Sequence, residues 1–152
     1  MYSKEEASKL KQQFWITFGK YLKPIPSAEG LTINWVNYKT GVKNIFFKMD
    51  ASQKEATISI NIQHQDEATR HQFYEQFLAV KTIFTNAINE EWDWELNAVN
   101  EYGVPFAQIS KTVTGLNIFN QQDWPALISF LKPRIIALDE FWTDVKPIFE
   151  QL

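Results

Sequence analysis

Three observations predict an α+β domain whose antiparallel sheet of about five strands, a three-stranded meander plus a hairpin, packs with three to four helices in the order α-βββ-α-ββ-α. First, Ala56, Ile58, Ile60 and Ile62 alternate with Thr57, Ser59, Asn61 and Gln63, the period-two pattern of a strand buried on one face. Second, Phe73, Phe77, Val80, Phe84 and Ile88 recur at helical intervals, a stripe long enough to cover those isoleucines. Third, 152 residues that are 45% apolar and 15% aromatic, with a net charge of only -3, supply one sizeable core across 1–152 and no drive toward disorder.

The opening helix, 4–22, follows from Ser3 and Glu6 at capping-box spacing and from Leu10, Phe14, Thr17 and Tyr21 on one stripe. Lys23-Pro24-Ile25-Pro26 ends it, because each proline lacks the N–H and extends its predecessor. Strands are predicted over 31–38, 42–49 and 55–63, joined by Lys39-Thr40-Gly41 and Asp50-Ala51-Ser52-Gln53. Asp66 caps a helix over 67–88. Trp92, Trp94 and Leu96 alternate with Asp93, Glu95 and Asn97, and Tyr102-Gly103 turns the chain into a partner strand over 104–112. Asp123 before Trp124-Pro125 opens the last helix, in which Pro133 is expected to bend or interrupt the stripe of Leu127, Ile128, Leu131, Ile135, Leu138, Trp142, Val145 and Phe149.

Several chemistries are excluded. There is no cysteine, hence no disulfide, thiolate nucleophile or cysteine-ligated metal. Charges at Lys4, Glu5, Glu6, Lys9 and Lys11 break any N-terminal apolar run, and no stretch approaches the ~18 apolar residues of a membrane helix, so a cytoplasmic location with no membrane partner is expected. The five glycines spell neither a dinucleotide fingerprint nor a phosphate loop, and no serine sits in a Gly-x-Ser-x-Gly elbow. No cofactor is expected.

His64, Asp66, Glu67, His71 and Glu75 form the one local cluster with metal-ligand chemistry, and Glu67, His71 and Glu75 share a helix face. They complete no metal motif, and acid–histidine pairs at this spacing suit a solvated face, so no metal site is assigned. Glu90, Glu91, Asp93 and Glu95 flank Trp92 and Trp94 and likewise read as a solvated face.

Charge is divided along the chain. Residues 1–48 carry eight lysines against three glutamates, while the remainder carries seven bases against fifteen acids. The basic portion interleaves lysine with aromatic residues on strand-like segments, a pattern in which lysines contact phosphates and rings stack on bases. Trp35, Tyr38, Lys39, Lys43 and Lys48 are therefore the candidate nucleic-acid-binding residues; no catalytic residue is assigned.

The predicted helix, three strands and helix also follow the order of the restriction-endonuclease-like core, in which an acid closing the second strand and an acid-x-Lys triplet on the third hold Mg²⁺ and position water. Asp50 closes the second predicted strand, whereas the third reads Asn61-Ile62-Gln63, with neutral amides in place of charge. A distant copy of that core would be active only if carboxylates converged around Asp50, Asn61, Gln63 and His64.

Phe14-Trp15, the run from Tyr21 through Pro24, Pro26 and Gly30 to Trp35, the turn from Tyr38 to Lys43, Phe73 to Phe77, and Asp123-Trp124-Pro125 through Phe130 to Trp142 together resemble a bacterial family of uncharacterised domains. The resemblance implies a domain that occurs alone, particularly in Bacteroidetes-type proteins, or behind nuclease-like domains. What it implies for function is an accessory role linked to nucleic-acid or defence systems. The expected function is a non-catalytic binding or accessory module for nucleic acid or protein; the alternative is a nuclease-like metal-dependent enzyme, active or degenerate.

Overall fold

Ser3 sits in extended geometry and its hydroxyl accepts the Glu6 N–H at 3.1 Å, which starts α1, Lys4–Leu22, in the computed structural model that describes residues 2–152. Its buried stripe is Phe14, Phe18 and Leu22. Tyr21, expected on the stripe, lies one position off it and is 59% exposed.

The sheet has four strands among the described residues, not five: β1, Ile45–Ala51; β2, Glu55–Ile62; β3, Asp93–Val99; and β4, Pro105–Thr114, in the spatial order β1-β2-β4-β3 with every pairing antiparallel. The strand expected over 31–38 does not form. Its polar groups are satisfied locally instead: Ser27 N–H donates to Leu31 O at 2.8 Å, Asn37 N–H to Asn34 Oδ1 at 3.1 Å, and the Trp35 indole N–H to Ile25 O at 3.0 Å. The helix, three strands and helix order behind the endonuclease-like expectation loses its first strand with it.

Ile58, Ile60 and Ile62 are fully buried under the helices, and Ile60 stands between Phe47 of β1 and Ile109 of β4. The opposite face is polar and open, but Ser59 and Asn61 are buried within it as short residues on a central strand, Ser59 between Lys48 and Ser110 and Asn61 between Phe46 and Gln108. Gln108 donates to Asn61 Oδ1 at 3.1 Å, and the Thr57 and Thr112 hydroxyls meet at 2.8 Å.

The single helix expected over 67–88 is two, α2, Glu67–Ala79, and α3, Lys81–Ile88, broken at Val80, whose ψ of 17° leaves the helical basin. The break keeps Phe73, Phe77, Val80 and Phe84 buried, with Ile88 partly so, while turning the stripe around the core. Phe77 packs against Phe149 at 4.3 Å, whereas Phe84 meets Trp92, Trp94 and Phe141 edge-on.

A 3₁₀ turn leads into α4, Trp124–Glu150, which runs on through Pro133; of the bend or interruption expected there, the interruption does not occur. Pro133 is exposed, as is Ser129, whose carbonyl loses its backbone donor, and the Arg134 guanidinium donates to Phe130 O at 2.8 Å in the same turn. Arg134 also clamps Glu90 with two bonds of 2.8 and 2.9 Å, tying α4 to the chain entering β3. Glu90 is thus partly buried rather than part of a solvated acidic face. Burial alone raises its pKa, but the Arg134 and Trp92 hydrogen bonds outweigh that and hold the carboxyl below the usual range.

Candidate nucleic-acid interface

The segment 23–44 is irregular because prolines open it and turns punctuate it, and it is held in place from α4 rather than by a ladder. Asp139, only 4% exposed, accepts the Tyr38 hydroxyl at 2.5 Å and the Ala28 N–H at 2.7 Å. Burial, the Asp139 bond and the charges of Asp139 and Glu29 push the Tyr38 phenol well above the ordinary tyrosine range. One turn on, the Trp142 indole N–H donates to Thr40 O at 2.7 Å. At the far end Gly41 has φ +77°, and a Cβ there would lie 2.6 Å from Lys146 Nζ: the ammonium rests directly on the glycine backbone.

These ties divide the five residues singled out in the sequence. Trp35 is 2% exposed and belongs to the core. Tyr38 is half-buried, stacked on Phe47 at 5.1 Å with its hydroxyl committed to Asp139. Neither ring stands free on the surface. Lys39, Lys43 and Lys48 are exposed, and none pairs with a carboxylate among the described residues. The exposed ring beside them is Phe46, 41% exposed on the open face of β1, with Lys48 Nζ 5.3 Å from its centroid. Phe46 and Phe47 both belong to the basic, aromatic portion of the sequence, and of the two it is Phe46, alternating with buried Ile45 and Phe47, that is exposed.

The structure also brings in Lys146, equally without an acid partner, which with Lys39 lines a cleft of about 410 Å³ between 27–40 and α4. Around this surface Glu29 lines the same cleft and Glu150 shares a hollow with Lys43. The acids of β3, Asp93 and Glu95, lie at the opposite sheet edge from β1, three strand spacings or ~14 Å away. That exceeds the Debye length of ~8 Å at physiological salt, so they screen the lysines little.

The residues singled out with Asp50, namely Asn61, Gln63 and His64, bring no second carboxylate to it; the other carboxylate lining the depression there is Glu55. Asp50 pairs with Lys11 at 3.4 Å and, with Lys48 and Glu55, lines a depression otherwise walled by Ala51, hydroxyls and amides that include Asn61. His64 packs against Phe73 with ring centroids 4.2 Å apart and planes tilted by 31°; burial, then the Arg70 charge, lower its pKa. Asp66 caps α2, and Glu67 reaches His71 only at 3.8 Å. Among the described residues no three His, Asp or Glu side chains converge to hold a metal ion.

Fold and surface together define a small α+β domain: one antiparallel sheet covered by helices on one face, with a lysine-bearing loop strapped to its last helix. The chain belongs to the family described as Domain of unknown function (DUF4268), whose model matches residues 10–146. The match begins within α1, takes in the strapped segment and the sheet, and ends on α4 at Lys146. No curated protein and no solved structure matches the chain. No helix is long and apolar enough to cross a membrane among the described residues.

Proposed function

We propose that this domain is a non-catalytic binding module for nucleic acid, acting in the cytoplasm as an accessory to other proteins, with phosphates held along the β1 side by Lys39, Lys43 and Lys48. The observation that carries the reading is the set of exposed lysines around 39–48 that form no ion pair among the described residues, in a chain of net charge -3. Clustered lysines without acid partners attract polyanions through counterion release, and Phe46 offers a ring for a base beside them.

The test is anisotropy of a labelled single-stranded oligonucleotide titrated at several salt concentrations. Lys39→Glu combined with Lys43→Glu is expected to weaken binding at least about tenfold and to lower the log–log salt slope by ~1.4, two phosphate contacts at ~0.7 each. An unchanged slope moves the contact elsewhere. No binding by the parent protein at low salt overturns the nucleic-acid reading in favour of a protein partner.

The nuclease-like alternative would rest on Asp50 and Glu55 beside Lys48 in the depression on the open face. Incubation with single- and double-stranded DNA and Mg²⁺ decides against it if the substrates stay intact, and for it if they are cut and Asp50→Ala abolishes the cutting.

A further inference from the structure

We propose that the cleft between 27–40 and α4 binds a short free peptide of about three residues by its two charged ends, a site additional to the nucleic-acid surface of β1. Asp139 and Lys146 lie on one wall, seven residues apart on α4, and the helical rise sets them ~10 Å apart along the axis. The facing chain runs in the same order: the Ala28 N–H meets Asp139, the Thr40 carbonyl meets Trp142, and Gly41 lies under Lys146. Glu29, exposed and in no ion pair among the described residues, therefore stands at the Asp139 end, near enough for its charge to act on the Tyr38 phenol. Lys146 and, two residues before Gly41, Lys39 are likewise without an acid partner at the other end. A ligand that answers both ends is a zwitterion whose charges are ~10 Å apart.

The lining between the ends suits a peptide. Leu31, 58% exposed, and half-buried Ile33 form an apolar stretch, and the exposed side chains of Asn34 and Asn37 lie beside it. Asn34 Oδ1 accepts the Asn37 N–H at 3.1 Å, which leaves the Asn34 Nδ2 group and the whole Asn37 side-chain amide without a partner among the described residues. Such an amide offers a donor and an acceptor, the pair that a peptide group also presents. An extended chain spans about 3.3–3.6 Å per residue, so three residues cover the distance between the charged ends. The ammonium then meets Glu29, the carboxylate meets Lys146 and Lys39, and an apolar central side chain rests on Leu31 and Ile33. A volume of about 410 Å³ is within the range of small-ligand sites. A single amino acid is too short to reach both ends, and a longer peptide leaves one of its termini outside.

The test is calorimetry on the full chain with the tripeptide Ala-Leu-Ala, its N-acetylated and C-amidated forms, and the pentapeptide Ala-Ala-Leu-Ala-Ala. The free tripeptide is expected to bind, and either cap or the added length to weaken it at least about tenfold. Lys146→Met, which keeps the stem over Gly41, should erase the difference between free and amidated C-termini and keep the effect of acetylation; Glu29→Gln should do the reverse. Should Lys146→Met fail to fold, Lys39→Met reads the same end. No binding of the tripeptide at millimolar concentration, or equal binding of its capped forms, overturns the proposal. Variants that weaken all four peptides alike, with the ratios between them unchanged, overturn the assignment of the two ends to these residues.

Discussion

Removing the Asp139 carboxylate should loosen the entire segment 23–44 from α4. Asp139→Ala deletes the acceptor for both Tyr38 and Ala28, and hydrogen bonds to a charged group contribute about 1.5–3 kcal/mol each. Relief from burying the carboxylate offsets part of the resulting 3–6 kcal/mol, leaving a net loss of about 2–4 kcal/mol. At about 2–4 °C per kcal/mol for a domain of this size, the melting temperature should fall by roughly 4–16 °C in calorimetry. Tyr38→Phe removes one bond and should cost about 1–2 kcal/mol, and the two changes should couple by at least about 1 kcal/mol in a double-mutant cycle. The phenol adds a pH signature. Its folded-state pKa is raised, so its contribution is fully present below the unfolded tyrosine value of about 10 and is lost as pH climbs above it, a decline that Tyr38→Phe should lessen. A melting temperature within about 1 °C of the parent for Asp139→Ala, with Tyr38→Phe simply additive, would refute the anchoring argument.

Three further outcomes test the fold. Ile60→Asp places an unpaired carboxylate between Phe47 and Ile109 at a cost of several kcal/mol, comparable to the stability of the whole domain; loss of cooperative urea unfolding is expected, and an unchanged midpoint would contradict the face assignment. Arg134→Lys keeps the charge but loses the two-pronged grip on Glu90 and the bond to Phe130 O, for about 1–2 kcal/mol in denaturant titration; a neutral result would make the clamp incidental. His64 has a lowered folded-state pKa, so the unfolded chain takes up its proton first and stability should decline as pH drops below about 6.5. His64→Gln should flatten that decline, and the same pH profile in both proteins would assign it to other groups.

Where local pattern and burial agree, the fold can be read directly from the chain: the Ser3 cap, the Ile58, Ile60 and Ile62 face and the hairpin of β3 and β4 all appear where their residues predict them. The segment 31–38 shows why pattern alone fails. Leu31, Ile33 and Trp35 alternate like a strand, but only Trp35 is buried, and the segment's partners are Ile25, ten residues before Trp35, and Asp139 a hundred residues away. Nothing local forecasts a tie of that length. The same distance hid half the site: Lys39 and Lys43 were visible in the basic portion, whereas Lys146 gains meaning only when α4 brings it onto Gly41. The unbroken helix at Pro133 is the converse case, a strong local stop signal overridden because the ring faces water.

Every bond that strapped loop makes to α4 spans about a hundred residues of chain, from Thr40 to Trp142, Tyr38 to Asp139 and Ala28 to Asp139. During synthesis, which runs from the N-terminus at about 5–20 residues per second, the sheet and its isoleucine face, covered only in part by α2 and α3, must therefore wait several seconds for the helix that completes the core. Non-local closure of this kind slows the productive step as well. The interval is one in which an apolar β-face is available to whatever it meets first, so the yield of folded protein should depend more on how fast residues 124–150 emerge and dock than on the final stability of the domain.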